Sequence, residues 1–120
     1  MERVRFITHK GAAILKVDLS GSPSVEENVR VLQTAKELIV TQPPGSVLLL
    51  TDVTETHFNT KGVAEMKEFS KFNTPFVKAS AVLGVAGIYE IIYDAVVKVV
   101  GRPIVRFDKE EDALDWLAER

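Results

Sequence analysis

SVLLLTDVTETHFNTKG, running from Ser46 to Gly62, decides how this chain folds. Val47-Leu48-Leu49-Leu50 is an unbroken apolar run that stops at Thr51-Asp52. A run without polar alternation is what a strand covered on both faces requires. The loop that follows is polar and rich in threonine, with Thr54, Thr56 and Thr60. It closes on Asn59-Thr60-Lys61-Gly62, where Val63, Met66, Phe69 and Phe72 begin a helical period. The stretch therefore reads as a central parallel strand handing its chain to the front end of a helix. In open α/β sheets, ligands and partners are met at that edge.

Upstream, Gln42-Pro43-Pro44-Gly45 ends a helix whose apolar positions are Val25, Val29, Leu32, Ala35 and Ile39. Ser24 with Glu27 forms a capping box, and Ser22 capping with Pro23 in the first turn fits as well. Before that helix, Val4 and Phe6 alternate with Arg3 and Arg5, and Leu15 and Val17 alternate with Lys16 and Asp18. His9-Lys10-Gly11 between them predicts a three-residue hairpin loop. Downstream, Asn73-Thr74-Pro75 stops the second helix and Phe76 to Leu83 reads as an apolar strand. Gly84-Val85-Ala86-Gly87 makes a tight connection to a third helix over Ile88 to Val100, which Gly101 and Pro103 end. A short strand spans Ile104 to Phe107. Asp108 and Glu111 predict the start of a last helix, with Ala113, Leu114, Trp116 and Leu117 inward. The order β-β-α-β-α-β-α-β-α predicts one α/β domain over residues 1–120, with about five strands in a mixed, mostly parallel sheet and four helices. The third and fourth strands would end at one edge, bringing the 51–62 and 84–87 loops together.

Composition narrows the function. Lys plus Arg total 15 and Asp plus Glu total 17. With no basic block, the field offers no attraction to nucleic acid or to an anionic membrane. The absence of cysteine excludes disulfides and thiolate chemistry, and it suits a reducing cytoplasm. Met1-Glu2-Arg3-Val4 leads straight into a strand pattern, so no signal peptide is expected. The longest weakly polar stretch, Ala79 to Ile88, is too short for the ~20 residues of a membrane span.

Asn59 and Thr60 suit helix capping, and with Lys61 and Gly62 they also suit an anion or partner site, since a helix N-terminus favours negative charge. Asp52, Glu55 and His57 can be read as metal ligands or as an acid–base pair, but their spacing matches no ligand template. His9 is expected to be solvated in its turn. No nucleophile elbow is present, and Gly84-x-x-Gly87 is not the dinucleotide fingerprint. No catalytic set, cofactor or metal is therefore expected. The third helix carries charge only at Glu90, Asp94 and Lys98. Its remaining surface exceeds the stripe needed to cover a sheet. Either that surface is buried on two sides within the chain, or Tyr89, Tyr93, Val97 and Val100 form an exposed patch for a homodimer, a partner or a lipid. Phe69, Phe72 and Phe76 read as core, whereas Phe58 lies in the loop.

Leu48-Leu49-Leu50-Thr51-Asp52-Val53, the run from Phe76 to Val85 and the ending Phe107 to Leu117 resemble the STAS fold of bacterial anti-sigma factor antagonists. They look most like a SpoIIAA-like branch grouped with CRAL-TRIO lipid-transfer domains. Antagonists with a phospho-switch carry Asp-Ser-Ser-Gly at the start of the second helix, the second serine accepting phosphate. Here Asn59-Thr60-Lys61-Gly62 stands in that place, and Lys61 has no hydroxyl. The resemblance implies a non-enzymatic regulatory module without that switch. Its expected contact residues are Thr54, Thr56, His57, Asn59, Thr60, Lys61, Gly62, Gly84 and Gly87, beside an apolar surface of Phe58, Tyr89, Tyr93 and Val97. The partner would be a protein, and the alternatives are a carrier of small apolar or lipid ligands and an enzyme using Asp52, Glu55 and His57.

Overall fold

Val47–Asp52 is the middle strand of a five-stranded sheet, and it is apolar because helices cover both of its faces. The computed structural model describes residues Glu2–Arg120. Their elements are β1 (Val4–His9), β2 (Ala12–Asp18), α1 (Val25–Ile39), β3 (Val47–Asp52), α2 (Thr60–Asn73), β4 (Val77–Leu83), α3 (Tyr89–Val100), β5 (Val105–Phe107) and α4 (Glu110–Ala118). The sheet order is β1-β2-β3-β4-β5, with β1 antiparallel to β2 and every later pair parallel. The α/β class, the four helices and the mostly parallel sheet match the expectation from the sequence.

This order explains the layering. Each crossover steps one strand further in the same direction, so right-handed connections put α1, α2 and α3 on one face. Leu15, Val17, Leu49 and Val82 form the core there with Val31, Leu32, Met66, Phe69 and Val96. The side chains of the opposite pleat, Ile14, Leu50, Ala81 and Leu83, are covered by Ala113 and Leu117 of α4.

Local chemistry corrects three expectations. The hairpin turn has two residues, not three: Lys10 and Gly11 both take positive φ, 50° and 81°, and His9 still pairs with Ala12. His9 is not simply solvated, since its Nε2 lies 2.7 Å from Asp115 Oδ1 on α4. The last helix is capped at Lys109, not Asp108, and no side chain bonds its first amides. Three acids in its first turn meet the positive helix end instead, and Glu110 Oε2 accepts from Nζ of the buried Lys16 at 2.6 Å. At α1, Ser24 is the cap and accepts from the Glu27 amide at 3.2 Å, which decides between the two serines.

Among the described residues, no helix is long and apolar enough to cross a membrane.

Candidate functional site

The loops after β2, β3 and β4 leave the sheet at one edge, and the backbone ladder runs on into them. Leu19 N donates to Asp52 O at 2.8 Å, Val53 N to Leu83 O at 2.9 Å and Gly21 N to Thr54 O at 2.9 Å. Asp52 turns the chain locally, its carboxylate accepting from Thr54 N at 3.0 Å and Thr54 Oγ1 at 2.7 Å. Gly84 makes the approach of the two loops possible. Its φ is +87°, and a Cβ there would stand 2.5 Å from Thr54 N and 2.6 Å from Thr54 Cα.

The rest of the β3–α2 loop is pinned from three sides. Thr56 Oγ1 donates to Leu19 O at 2.7 Å, His57 N donates to Ser22 O at 3.0 Å and Asn28 Nδ2 donates to His57 O at 2.8 Å. From α3, Tyr89 Oη donates to Thr56 O at 2.7 Å. Asn59 then caps α2, its Oδ1 accepting from Gly62 N at 2.9 Å. Extended backbone at Asn59 lets its side chain fold back over the first turn, so the helix starts there.

Between this loop and α3 lies an open groove of about 460 Å³. One wall runs from Thr56 to Thr60 with Val63, and the other consists of Ile88, Tyr89, Ile91 and Ile92. Ile88 and Ile91 are each 71% exposed, more than any other large apolar side chain among the described residues. The groove thus collects Thr56, His57, Phe58, Asn59, Thr60 and Tyr89 from the predicted set. Lys61, Thr54 and Gly87 are exposed nearby in sequence but do not line it.

Several predicted contacts are otherwise engaged. Thr56 is buried, and both its hydroxyl and its carbonyl are spent within the chain. Gly62 is buried and its amide serves the cap, so it is not free for an anion. Gly84 is a packing residue wedged on Thr54. Tyr93 and Val97 are half-buried, and Tyr93 Oη donates to Ile104 O. The exposed apolar stripe of α3 is therefore Ile88 and Ile91, with Val99 further along, rather than the tyrosines. One signal in the sequence pointed there. At about 100° per residue, Ile91 falls roughly 20° from Lys98 around the helix, on the charged side. Asp52, Glu55 and His57 do not converge. Asp52 bonds Thr54, the other two are exposed, and no group of three such residues among those described is placed to hold a metal ion.

Comparison of the chain with protein-family models, with curated proteins and with solved structures finds no match.

Behind the groove, Phe58 and Tyr89 meet edge to face with centroids 6.1 Å apart. They separate it from a chamber of about 50 Å³ between β3 and β4 below and α2 and α3 above. Its walls are mostly apolar, aliphatic and aromatic together, and Asn73 and Arg102 line it with the hydroxyl residues Thr51, Ser70 and Ser80. Arg102 Nη2 donates to Asn73 Oδ1 at 2.6 Å. Burial pushes the Arg102 guanidinium below its ordinary pKa. Such a volume falls well short of the roughly 300–1,000 Å³ of drug-sized ligand pockets, so the interior does not accommodate a lipid.

Proposed function

We propose that this chain is a STAS-like, non-enzymatic cytoplasmic regulatory module that binds a protein partner in the groove between the β3–α2 loop and α3. The observation that carries the reading is the pair Ile88 and Ile91, exposed side by side beside a groove whose opposite wall is already ordered. Exposed apolar area rimmed by polar groups marks interaction sites. His57, Thr60 and Lys61 are exposed at the start of α2, a helix end that favours negative charge. The partner segment that fits is an apolar anchor with an acidic neighbour. Resemblance to the anti-sigma factor antagonists supports a regulatory role, and Lys61 at the phosphoserine position argues for constitutive rather than phosphate-controlled binding.

Crosslinking in the native cell tests this with two variants. Ile91→Glu is expected to abolish the dominant crosslinked protein, while Phe6→Glu, on the exposed edge strand, is expected to leave it. Equal capture by both variants and the unaltered chain would overturn the assignment. A second reading, a small apolar ligand, is favoured by the groove's volume, which falls within the pocket range above. Native mass spectrometry separates the two, because only the groove-ligand reading predicts an added mass that Ile91→Glu removes. Sedimentation of the unaltered chain against Ile91→Glu tests a second copy as occupant.

A further inference from the structure

The chamber behind the Phe58–Tyr89 pair holds an unanswered set of hydrogen-bond donors. Asn73 is fully buried and its Nδ2 has no hydrogen-bond partner. The amide cannot be turned to relieve this, because Arg102 has no acceptor to offer and its Nη2 requires Oδ1. Arg102 itself meets only neutral acceptors, Asn73 Oδ1 and, through Nε at 3.2 Å, Thr74 Oγ1. Among the described residues no carboxylate lies within ion-pair distance of it. A buried donor and a half-buried cation, side by side without an anion, are what charge-assisted recognition of a planar acceptor uses. Besides the hydroxyls of Thr51, Ser70 and Ser80, the remaining walls are apolar and include Leu49, Val82, Ile92 and Val96. A strongly hydrated ion such as phosphate gains nothing from such walls, whereas a short alkyl chain does.

We infer that this chamber is a binding site for a small aliphatic monocarboxylate. The carboxylate accepts from Asn73 Nδ2 and the Arg102 guanidinium, and the tail lies against Leu49, Val82, Ile92 and Val96. The size of the chamber selects a short chain over a fatty acid. The inference does not rest on the partner-binding reading: Ile92 lines both spaces, but neither Asn73 nor Arg102 lines the groove.

Calorimetry and methyl NMR on the full chain test it, with acetate, butyrate, hexanoate and inorganic phosphate as probes. Butyrate or hexanoate is expected to bind with one-to-one stoichiometry and to shift the methyl signals of Val82, Ile92 and Val96. Asn73→Asp keeps the side-chain shape and puts a carboxylate beside Arg102, so it is expected to abolish binding. Arg102→Met is expected to weaken it by about ten- to a hundredfold. Ile91→Glu, which disables the proposed partner groove, is expected to leave carboxylate binding unchanged. No binding by any carboxylate overturns the assignment. So do shifts confined to residues outside the chamber, binding that survives both Asn73→Asp and Arg102→Met, and phosphate binding as tight as that of hexanoate.

Discussion

Replacing Gly84 by alanine isolates the contact that brings the two site loops together. The new methyl group would lie 2.3 Å from Thr54 Oγ1, 2.5 Å from Thr54 N and 2.6 Å from Thr54 Cα. Two of those atoms are backbone, and they are held by the Thr54 N to Asp52 bond and by the Gly21 N to Thr54 O bond, so they cannot swing aside. The left-handed backbone adds about 1–2 kcal/mol for any residue with a Cβ. Overpacking adds about 1–3 kcal/mol. The expected loss is about 3–4 kcal/mol, a large share of the ~5–15 kcal/mol typical of a folded domain. In urea unfolding that is a fall in midpoint of about 2 M. Gly11→Ala supplies the control, because Gly11 has nearly the same φ, +81°, with nothing within 4 Å of the added atom. It should cost only the backbone part. Thr54→Ala removes the hydroxyl but not the backbone obstacle, so it should not rescue Gly84→Ala. Equal losses for Gly84→Ala and Gly11→Ala would refute the close approach of these loops.

Tyr89→Phe removes the hydroxyl that donates to Thr56 O and should cost about 1 kcal/mol. Hydrogen exchange should also quicken at the Thr56 and His57 amides, and unchanged exchange there would show that the tyrosine does not hold the loop. Acid stability provides a further check at Asp18. Burial pushes its carboxyl up, but hydrogen bonds from the Ser20 hydroxyl and amide, with the charges of Lys16 and Arg3, outweigh that and leave it below the ordinary value. A carboxyl lowered on folding contributes stability above its unfolded pKa, and that contribution is lost as pH falls through the folded value. Ser20→Ala should raise the Asp18 pKa in an NMR titration and flatten the loss of stability on acidification; an unmoved Asp18 titration would contradict this account.

The elements legible in the sequence were those whose period is set by one local environment. Leu48 to Leu50 could only be a strand covered twice, and Gln42-Pro43-Pro44-Gly45 could only end a helix. From these, the parallel order and the shared edge for the 51–62 and 84–87 loops followed by chain connectivity. Contacts made across long separations stayed hidden. Thr56 looks like any loop threonine until Leu19 O, 37 residues away, takes its hydroxyl. His9 pairs with Asp115, 106 residues on. The rotation of α3 was unreadable from hydrophobicity alone, because a helix apolar almost all round carries little record of which side faces out. Tyrosine was the attractive choice for a surface, yet both hydroxyls on α3 are consumed by carbonyls inside the chain. Asn73 reads as part of a helix stop and Arg102 carries no signal in the sequence; only the packing of α2 beside α3 brings them together.

The Tyr89 hydroxyl ties the segment after β3 to the first turn of α3, and Leu19 O and Ser22 O fasten the same segment to the neighbouring connection. An arriving molecule therefore meets a mould that has already set. Little freedom is left to surrender on docking, so affinity can come from a small contact area. The corollary is narrow tolerance: a stiff groove rejects shapes that a pliable one would wrap.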